Sequence, residues 1–322
     1  MFKFIVKRIL VAIPILLVMS LMTFALMQMT PGNFFDSLRL DPTISEDTLN
    51  RYEELYRLDK SLPVQYFAWL KNVCTLDFGY SFYFNVPVSR IIADRLFNTF
   101  ILALSSMVFT WLIAIPLGIW AALHRNKFID KFISLFSFMG LSMPSFFLAM
   151  LLLYAAAQIG GIPLGGMYSA NYDDLSWFGK IIDLLKHLII PTIVISLGSI
   201  ASLQRIMRGN FLEVLRQQYI LSARAKGLPE HRIIYHHALR NAINPLITLF
   251  GFELSGLLGG AALIEIICNW PGLGSLMLTA VRAKDVYLVM TSMLMGGVLL
   301  VIGNLIADVL LAWSDPRIRY DK

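Results

Sequence analysis

The sequence predicts an all-α membrane protein. Its 322 residues are 57% hydrophobic and only 15% charged, an apolar share above the roughly 45 to 50% of a soluble domain. The apolar residues gather in runs at roughly 9 to 29, 98 to 122, 132 to 158, 188 to 206, 242 to 264 and 286 to 312, each able to cross about 30 Å of hydrocarbon as a helix. None shows the alternating ten-residue pattern of a barrel strand, and in lipid a helix satisfies its own backbone.

Taken in order, Lys3, Lys7 and Arg8 precede the first run. That run is too long for an ordinary signal core and lacks a small-x-small cleavage site, so residues 1–29 read as a cytosolic start and an uncleaved first span. Residues 30–97 mix nine acidic with seven basic residues and read as a small extracytoplasmic element. Within it Thr43 and Glu46 fit a capping box, Leu49, Tyr52 and Tyr56 follow at helical spacing, and Pro63 limits that helix. A second short helix carries Tyr66, Trp69 and Leu70. Residues 98–312 form a five-span core with a cytosolic hairpin at 207–241, and 313–322 form a cytosolic tail. Pro14, Pro116, Gly140 with Pro144, Pro191 and Pro245 fall inside spans and are compatible with kinked helices.

Orientation follows from the basic residues of the short loops. Arg125, Lys127 and Lys131 lie between the second and third runs, and Arg317, Arg319 and Lys322 follow the sixth. Together with Lys3, Lys7 and Arg8 these place both termini in the cytosol. The net charge of +6 is spread as topology signals rather than as a nucleic-acid footprint. Cys74 and Cys268 share no metal-type spacing with each other or with the histidines; two free thiols are expected, with a pairing between them left open. His124, His187, His231, His236 and His237 lie at edges or in loops, which disfavours a membrane-embedded enzyme. No rings of charge or carbonyl-rich filter suggest a passive channel.

The segment from Gln204 to Pro245 has the grammar of two short helices and a tight turn. Residues from about Phe211 to Lys226 are good helix formers, Gly227 can supply a left-handed closing residue, and Pro229 with Glu230 suits the start of the next helix. Held between two spans, this hairpin does not read as a DNA-binding element. It reads either as a docking surface transmitting force from a soluble partner or as positive-inside charge that happens to fold.

Tyr219, then Ala223-Arg224-Ala225-Lys226-Gly227-Leu228, then His237-Ala238-Leu239-Arg240-Asn241-Ala242 and Pro245 resemble the permease signature of ATP-binding-cassette importers of the dipeptide, oligopeptide and nickel class. Arg208 with Leu212-Glu213-Val214-Leu215, Asp77-Phe78-Gly79-Tyr80-Ser81 with Pro87-Val88, Trp270-Pro271-Gly272-Leu273-Gly274 and Asp315-Pro316-Arg317-Ile318-Arg319-Tyr320 look like further family segments in the right order. Leu221-Ser222-Ala223 stand where the broader importer signature has Glu-Ala-Ala, and Pro245 lies farther from Gly227 than that signature places its proline.

The resemblance implies a non-catalytic permease subunit in the bacterial cytoplasmic (inner) membrane. Its implied partners are a second homologous permease, two cytosolic ATPases and an extracytoplasmic solute-binding protein, beside the lipid bilayer. No cofactor is expected on this chain: it has no phosphate-cradling G-x-x-x-x-G-K-[ST] loop, so ATP and Mg belong to the partner ATPases. Ala223, Arg224, Ala225, Lys226, Gly227, Leu228 and Arg232 would couple to an ATPase. Asp77, Tyr80 and Trp270 would face the binding protein. Glu253, the costliest residue to leave in lipid, is the candidate for the translocation path; its alternatives are protonation or pairing with the partner permease. Gly256 and Gly260 read as close helix packing. Peptides are the expected cargo, with nickel complexes, glutathione or oligosaccharides as rivals.

Overall fold

The computed structural model describes residues 2–30, 32, 39, 60–246, 249–250, 253, 256 and 262–314. The capping box at Thr43, much of the fifth apolar run including Gly260, and the carboxyl-terminal segment from Asp315 lie outside them. The described chain is mostly helical. It comprises α1 (Phe2–Met29), α2 (Leu62–Val73), β1 (Tyr80–Ser81), β2 (Val86–Pro87), α3 (Val88–Leu123), α4 (Phe128–Ser142), α5 (Ser145–Ile159), α6 (Trp177–Val214) and α7 (Gln218–Ala225). Then α8 runs without interruption through Glu230–Arg232, a π-helical stretch Ile233–Ala238 and Leu239–Ala242. The helices α9 (Ala262–Ile267), α10 (Leu273–Arg282) and α11 (Val286–Ser314) complete it.

Among the described residues, α1, α3, α6 and α11 are long and apolar enough to cross a membrane. The third apolar run, expected as one kinked span, forms two helices, α4 and α5, bent by 102°. The cause is local. Pro144 has no N–H to continue the ladder and disfavours the helical conformation for its predecessor, and Met143 sits in the extended region at φ −87°, ψ 127°. Pro14, Pro116 and Pro191 lie inside unbroken helices.

The helices α3 and α6 also outrun their apolar stretches. At 36 and 38 residues and about 1.5 Å per residue they reach some 54 to 57 Å, well beyond a hydrocarbon core of about 30 Å. Lipid sets where a helix must be apolar, and neighbouring side chains let it continue past that limit.

The chain divides into two compact units. One comprises Phe2–Thr99 and Pro271–Leu299. In it α2 lies against α1, with Tyr66 and Trp69 buried beside Phe24 and Met290 and the Tyr66 hydroxyl 2.9 Å from Ser20 Oγ. The β1–β2 pair is antiparallel, Tyr80 opposite Pro87 and Ser81 opposite Val86. Asp285 fastens it: the buried carboxylate accepts from Ser81 Oγ at 2.7 Å and from the Tyr83 N–H at 3.1 Å, and its other oxygen accepts from the Leu288 N–H at 3.2 Å. Asp285 is thus the N-cap of α11 as well. Val88 and Ile92 pack with Leu273, Leu276, Ala280 and Leu288 beneath it.

The second unit, Phe100–Trp270 with Leu300–Lys322, is built around α6. Its largest core joins Ala114, Ile119 and Ala122 of α3 to Met207 and Phe211 of α6 and to Ile220, Ile233, Ala238 and Ala242 of the α7–α8 pair. Another joins α5 to α6 and α9 through Ala149, Ala156, Ile190, Val194 and Ile264. Cys74 and Cys268 are both free thiols, the first exposed and the second buried.

Candidate functional site

The hairpin is the most fully specified surface feature of the second unit. Leaving Val214, the chain turns through Leu215, Arg216 and Gln217 and re-enters a helix at Gln218. The close of α7 is a Schellman motif. The Leu228 N–H donates to the Ala223 carbonyl at 3.3 Å and the Gly227 N–H to the Arg224 carbonyl at 2.9 Å, with Gly227 in the left-handed region at φ +75°. Pro229 is extended, at ψ 140°, and stands one position before the first helical residue, Glu230.

Two ties hold α7 to α8 across that turn. Near the tip, Arg224 donates to both carboxylate oxygens of Glu230, at 2.6 and 3.3 Å. The guanidinium holds the Glu230 carboxyl below the usual glutamate range. At the base, Asn241 Nδ2 donates to the Tyr219 hydroxyl and to the His237 carbonyl, both at 3.0 Å. Ile220 and Ile233, each fully buried, close the space between. The hairpin is therefore a braced wedge rather than a loose basic loop.

The seven hairpin residues singled out from sequence come together at its tip, in two roles. Arg224, Ala225, Lys226, Gly227 and Arg232 are exposed. Ala223 and Leu228 are half-buried against the core of the unit and belong to its packing. With no Glu in the place occupied by Leu221, the brace across the turn is supplied by Arg224 and Glu230, a pair that motif comparison does not reveal.

Glu253 has a partner within its own chain. Trp111 Nε1 of α3 donates to Glu253 Oε2 at 2.8 Å, and the Trp111 ring meets Phe250 edge-on at 5.3 Å. An intrachain indole donor stabilises the carboxyl group without recourse to a second subunit.

Asp77 and Tyr80 lie in the first unit, where both shape the β1–β2 region. The Asp77 carboxylate accepts from the Gly79 N–H at 3.0 Å, and the Tyr80 hydroxyl donates to the Asn85 carbonyl at 2.5 Å. The exposed apolar residues there are Tyr83 and Phe84. Trp270, in the other unit, requires a correction. It is 1% exposed, enclosed by Leu102, Met167 and Leu188, so its side chain is core and presents no surface to a binding protein.

Sequence reasoning passed over four buried acids, Asp130, Asp183, Glu265 and Asp285, and the three aspartates each organise a turn. Asp285 is described above. Asp183 accepts from Ser169 N and Oγ at 2.9 and 2.5 Å and pins the segment before α6. Asp130 accepts a bidentate pair from Arg208. Asp285 carried a usable signal, an Asp immediately before an apolar helix; the other two did not.

Residues 114–320 match the family described as the binding-protein-dependent transport system inner membrane component, and residues 1–103 match the corresponding amino-terminal family. The chain belongs to this family. It is a multi-pass component of the inner membrane, in a transport system served by a binding protein. Among its relatives, the oligopeptide transport system permease protein AppB of Bacillus subtilis is 39% identical over 322 residues, covering 99% of this chain and 100% of the relative. A protein of Brucella suis provisionally named as a peptide permease is 36% identical, covering 99% of each chain. One of Sinorhizobium fredii, provisionally named as a peptide ABC transporter permease, is 32% identical, covering 98% of this chain and 99% of that one. These matches run through both units and through the braced hairpin.

Proposed function

We propose that this chain is one of two permease subunits of an ATP-driven importer of peptides, and that the hairpin from Gln218 to Ala242 seats in a cytosolic ATPase. The observation that carries the reading is the bracing of the hairpin. A loop that served only to hold basic residues on one side of the membrane needs neither a Schellman turn, nor an ion pair across it, nor a core shared with α3 and α6. A rigid wedge fused to two long helices is suited to passing a displacement from a soluble motor to the membrane.

Peptide cargo is supported by the names of full-length relatives. A second, homologous permease would complete the path, two ATPase subunits would bind ATP and Mg, and a solute-binding protein would dock against the element containing Asp77 and Tyr80. Glu253, with Trp111, would lie along the path.

The test is uptake of a labelled peptide, together with ATP hydrolysis, by the reconstituted assembly carrying Gly227→Val. No atom lies within 4 Å of a Cβ added at Gly227, so the substitution acts first through the left-handed backbone, at about 1–2 kcal/mol. The expected result is loss of binding-protein stimulation with the subunits still assembled. Stimulation and uptake equal to the unaltered complex would remove the coupling role. An assembly that moves other solutes and no peptide would remove the cargo.

A further inference from the structure

The helix that carries the hairpin is clasped by the first half of the bent pair. Arg208 Nε and Nη2 donate to the two carboxylate oxygens of Asp130 at 2.6 and 2.7 Å. Farther along, Ser137 Oγ donates to Gln204 Oε1 at 3.0 Å, and a Cβ added at Gly140 would stand 3.2 Å from Leu197 Cγ. As α4 advances from 130 to 140, its partners on α6 recede from 208 to 197. The two helices therefore run antiparallel in a fixed register.

Asp130 is 4% exposed and serves a third element. Its Oδ2 also accepts from the Asn126 N–H at 2.9 Å, in the turn from α3 to α4 where Asn126 is left-handed at φ +64°. One carboxylate thus joins that turn, the first turn of α4, and α6 three residues before the buried Phe211. A largely buried ion pair is weak evidence for stability, since apolar replacements of similar volume are often neutral. What the planar two-point geometry supplies is orientation, which a lysine at 208 could not reproduce. Past Asp130, α4 runs to Met143 and Pro144, where the chain bends by 102° into α5.

We propose that Asp130 and Arg208 form a positioning latch that makes α4 and the hairpin-bearing end of α6 move as one body, so that displacement of the hairpin is delivered to the bend at Pro144. The inference rests on the reading of the hairpin as the seat of an ATPase. The bend then acts as the hinge. With the latch opened, the motor still turns over but α4 no longer follows it.

The experiment uses the full reconstituted assembly with a labelled peptide, measuring uptake and ATP hydrolysis together in Asp130→Asn, Arg208→Lys and Arg208→Gln. The latch predicts hydrolysis within about twofold of the unaltered complex and peptide taken up per ATP reduced about tenfold in Asp130→Asn and Arg208→Gln, with Arg208→Lys in between. Spin labels at Leu135 of α4 and Tyr235 of α8, both exposed, give a second measurement that needs no latch variant. Their separation should be the same with and without trapped nucleotide. Unchanged uptake per ATP in Asp130→Asn, or a label separation that shifts with nucleotide, overturns the latch. If Gly227→Val uncouples the assembly while Asp130→Asn does not, the latch alone fails; if Gly227→Val also leaves coupling intact, the hairpin reading fails with it.

Discussion

Replacing Gly118 by alanine tests a close helix approach in the second unit. A Cβ there would lie 2.7 Å from Met207 Cβ and 2.9 Å from the Gln204 carbonyl oxygen. Neither neighbour can swing away: one atom is the root of a buried side chain and the other is backbone. The helices α3 and α6 must part by several tenths of an ångström, disturbing the core that runs from Ala114 to Ile220. Overpacking of this kind costs about 1–3 kcal/mol, while removing a mid-helix glycine returns roughly 0.5–1 kcal/mol. A net loss of roughly 0–2.5 kcal/mol remains by those two estimates. The controls are Gly198→Ala and Gly209→Ala on α6, where an added Cβ meets nothing within 4 Å; these should be neutral or slightly stabilising. The assay is denaturant unfolding of the purified chain in detergent micelles. Adding Met207→Ala should not fully rescue Gly118→Ala, because it removes Met207 Cγ at 2.9 Å but retains Met207 Cβ at 2.7 Å and the Gln204 carbonyl. Gly118→Ala as stable as Gly198→Ala, or full rescue by Met207→Ala, would refute the reasoning.

Three further outcomes follow from the buried and paired groups. Asp285→Ala removes the N-cap of α11 and strands Ser81 Oγ and the Tyr83 N–H; a cap is worth about 0.5–2 kcal/mol and a buried unpaired group about 1–3, so protease cleavage within residues 82–85 should rise steeply. Trp270→Ala should lower stability by about 3–5 kcal/mol, and a stable Trp270→Ala chain that loses only binding-protein stimulation would restore Trp270 as a contact. The Arg224–Glu230 tie, on half-exposed side chains, should contribute no more than about 0.2–1 kcal/mol. Because pairing lowers the Glu230 pKa, this stability is present above the ordinary glutamate range and is lost as pH falls through the lowered value. Glu230→Gln should therefore differ from the unaltered chain in thermal midpoint at about pH 7, and the difference should shrink as pH falls below the ordinary glutamate range.

The hairpin was legible because its signals are local. A run of helix formers, a glycine able to take positive φ and a proline before an acidic first turn lie within a few residues of each other, and each acts on its own backbone. The bend at Pro144 was visible as a breaker, but not its size. Pro14, Pro116 and Pro191 sit in helices that continue through them, and the residue type does not say which proline has neighbours that hold the helix together. At Met143 the backbone is extended, so the ladder stops there.

The partners of the buried acids were not legible, for a related reason. Asp130 meets Arg208 across 78 residues and Asp285 meets Ser81 across 204, so nothing near either carboxylate announces its partner. Hydropathy has a matching blind spot, because it reports exposure to lipid and not the extent of a helix. Val88 and Ile92 lie before the apolar run that marked the second span, in a stretch that also carries Arg90, Asp94 and Arg95. They are helical and buried because Leu273, Leu276 and Leu288 cover them. Protein packing takes over from lipid at that point, and the buried Asp285 sits in the same neighbourhood, next to Val286 and three residues from Leu288. The places where charge-poor runs give way to mixed sequence are thus where this fold uses specific side-chain pairs, and where motif and hydropathy reasoning have least to say.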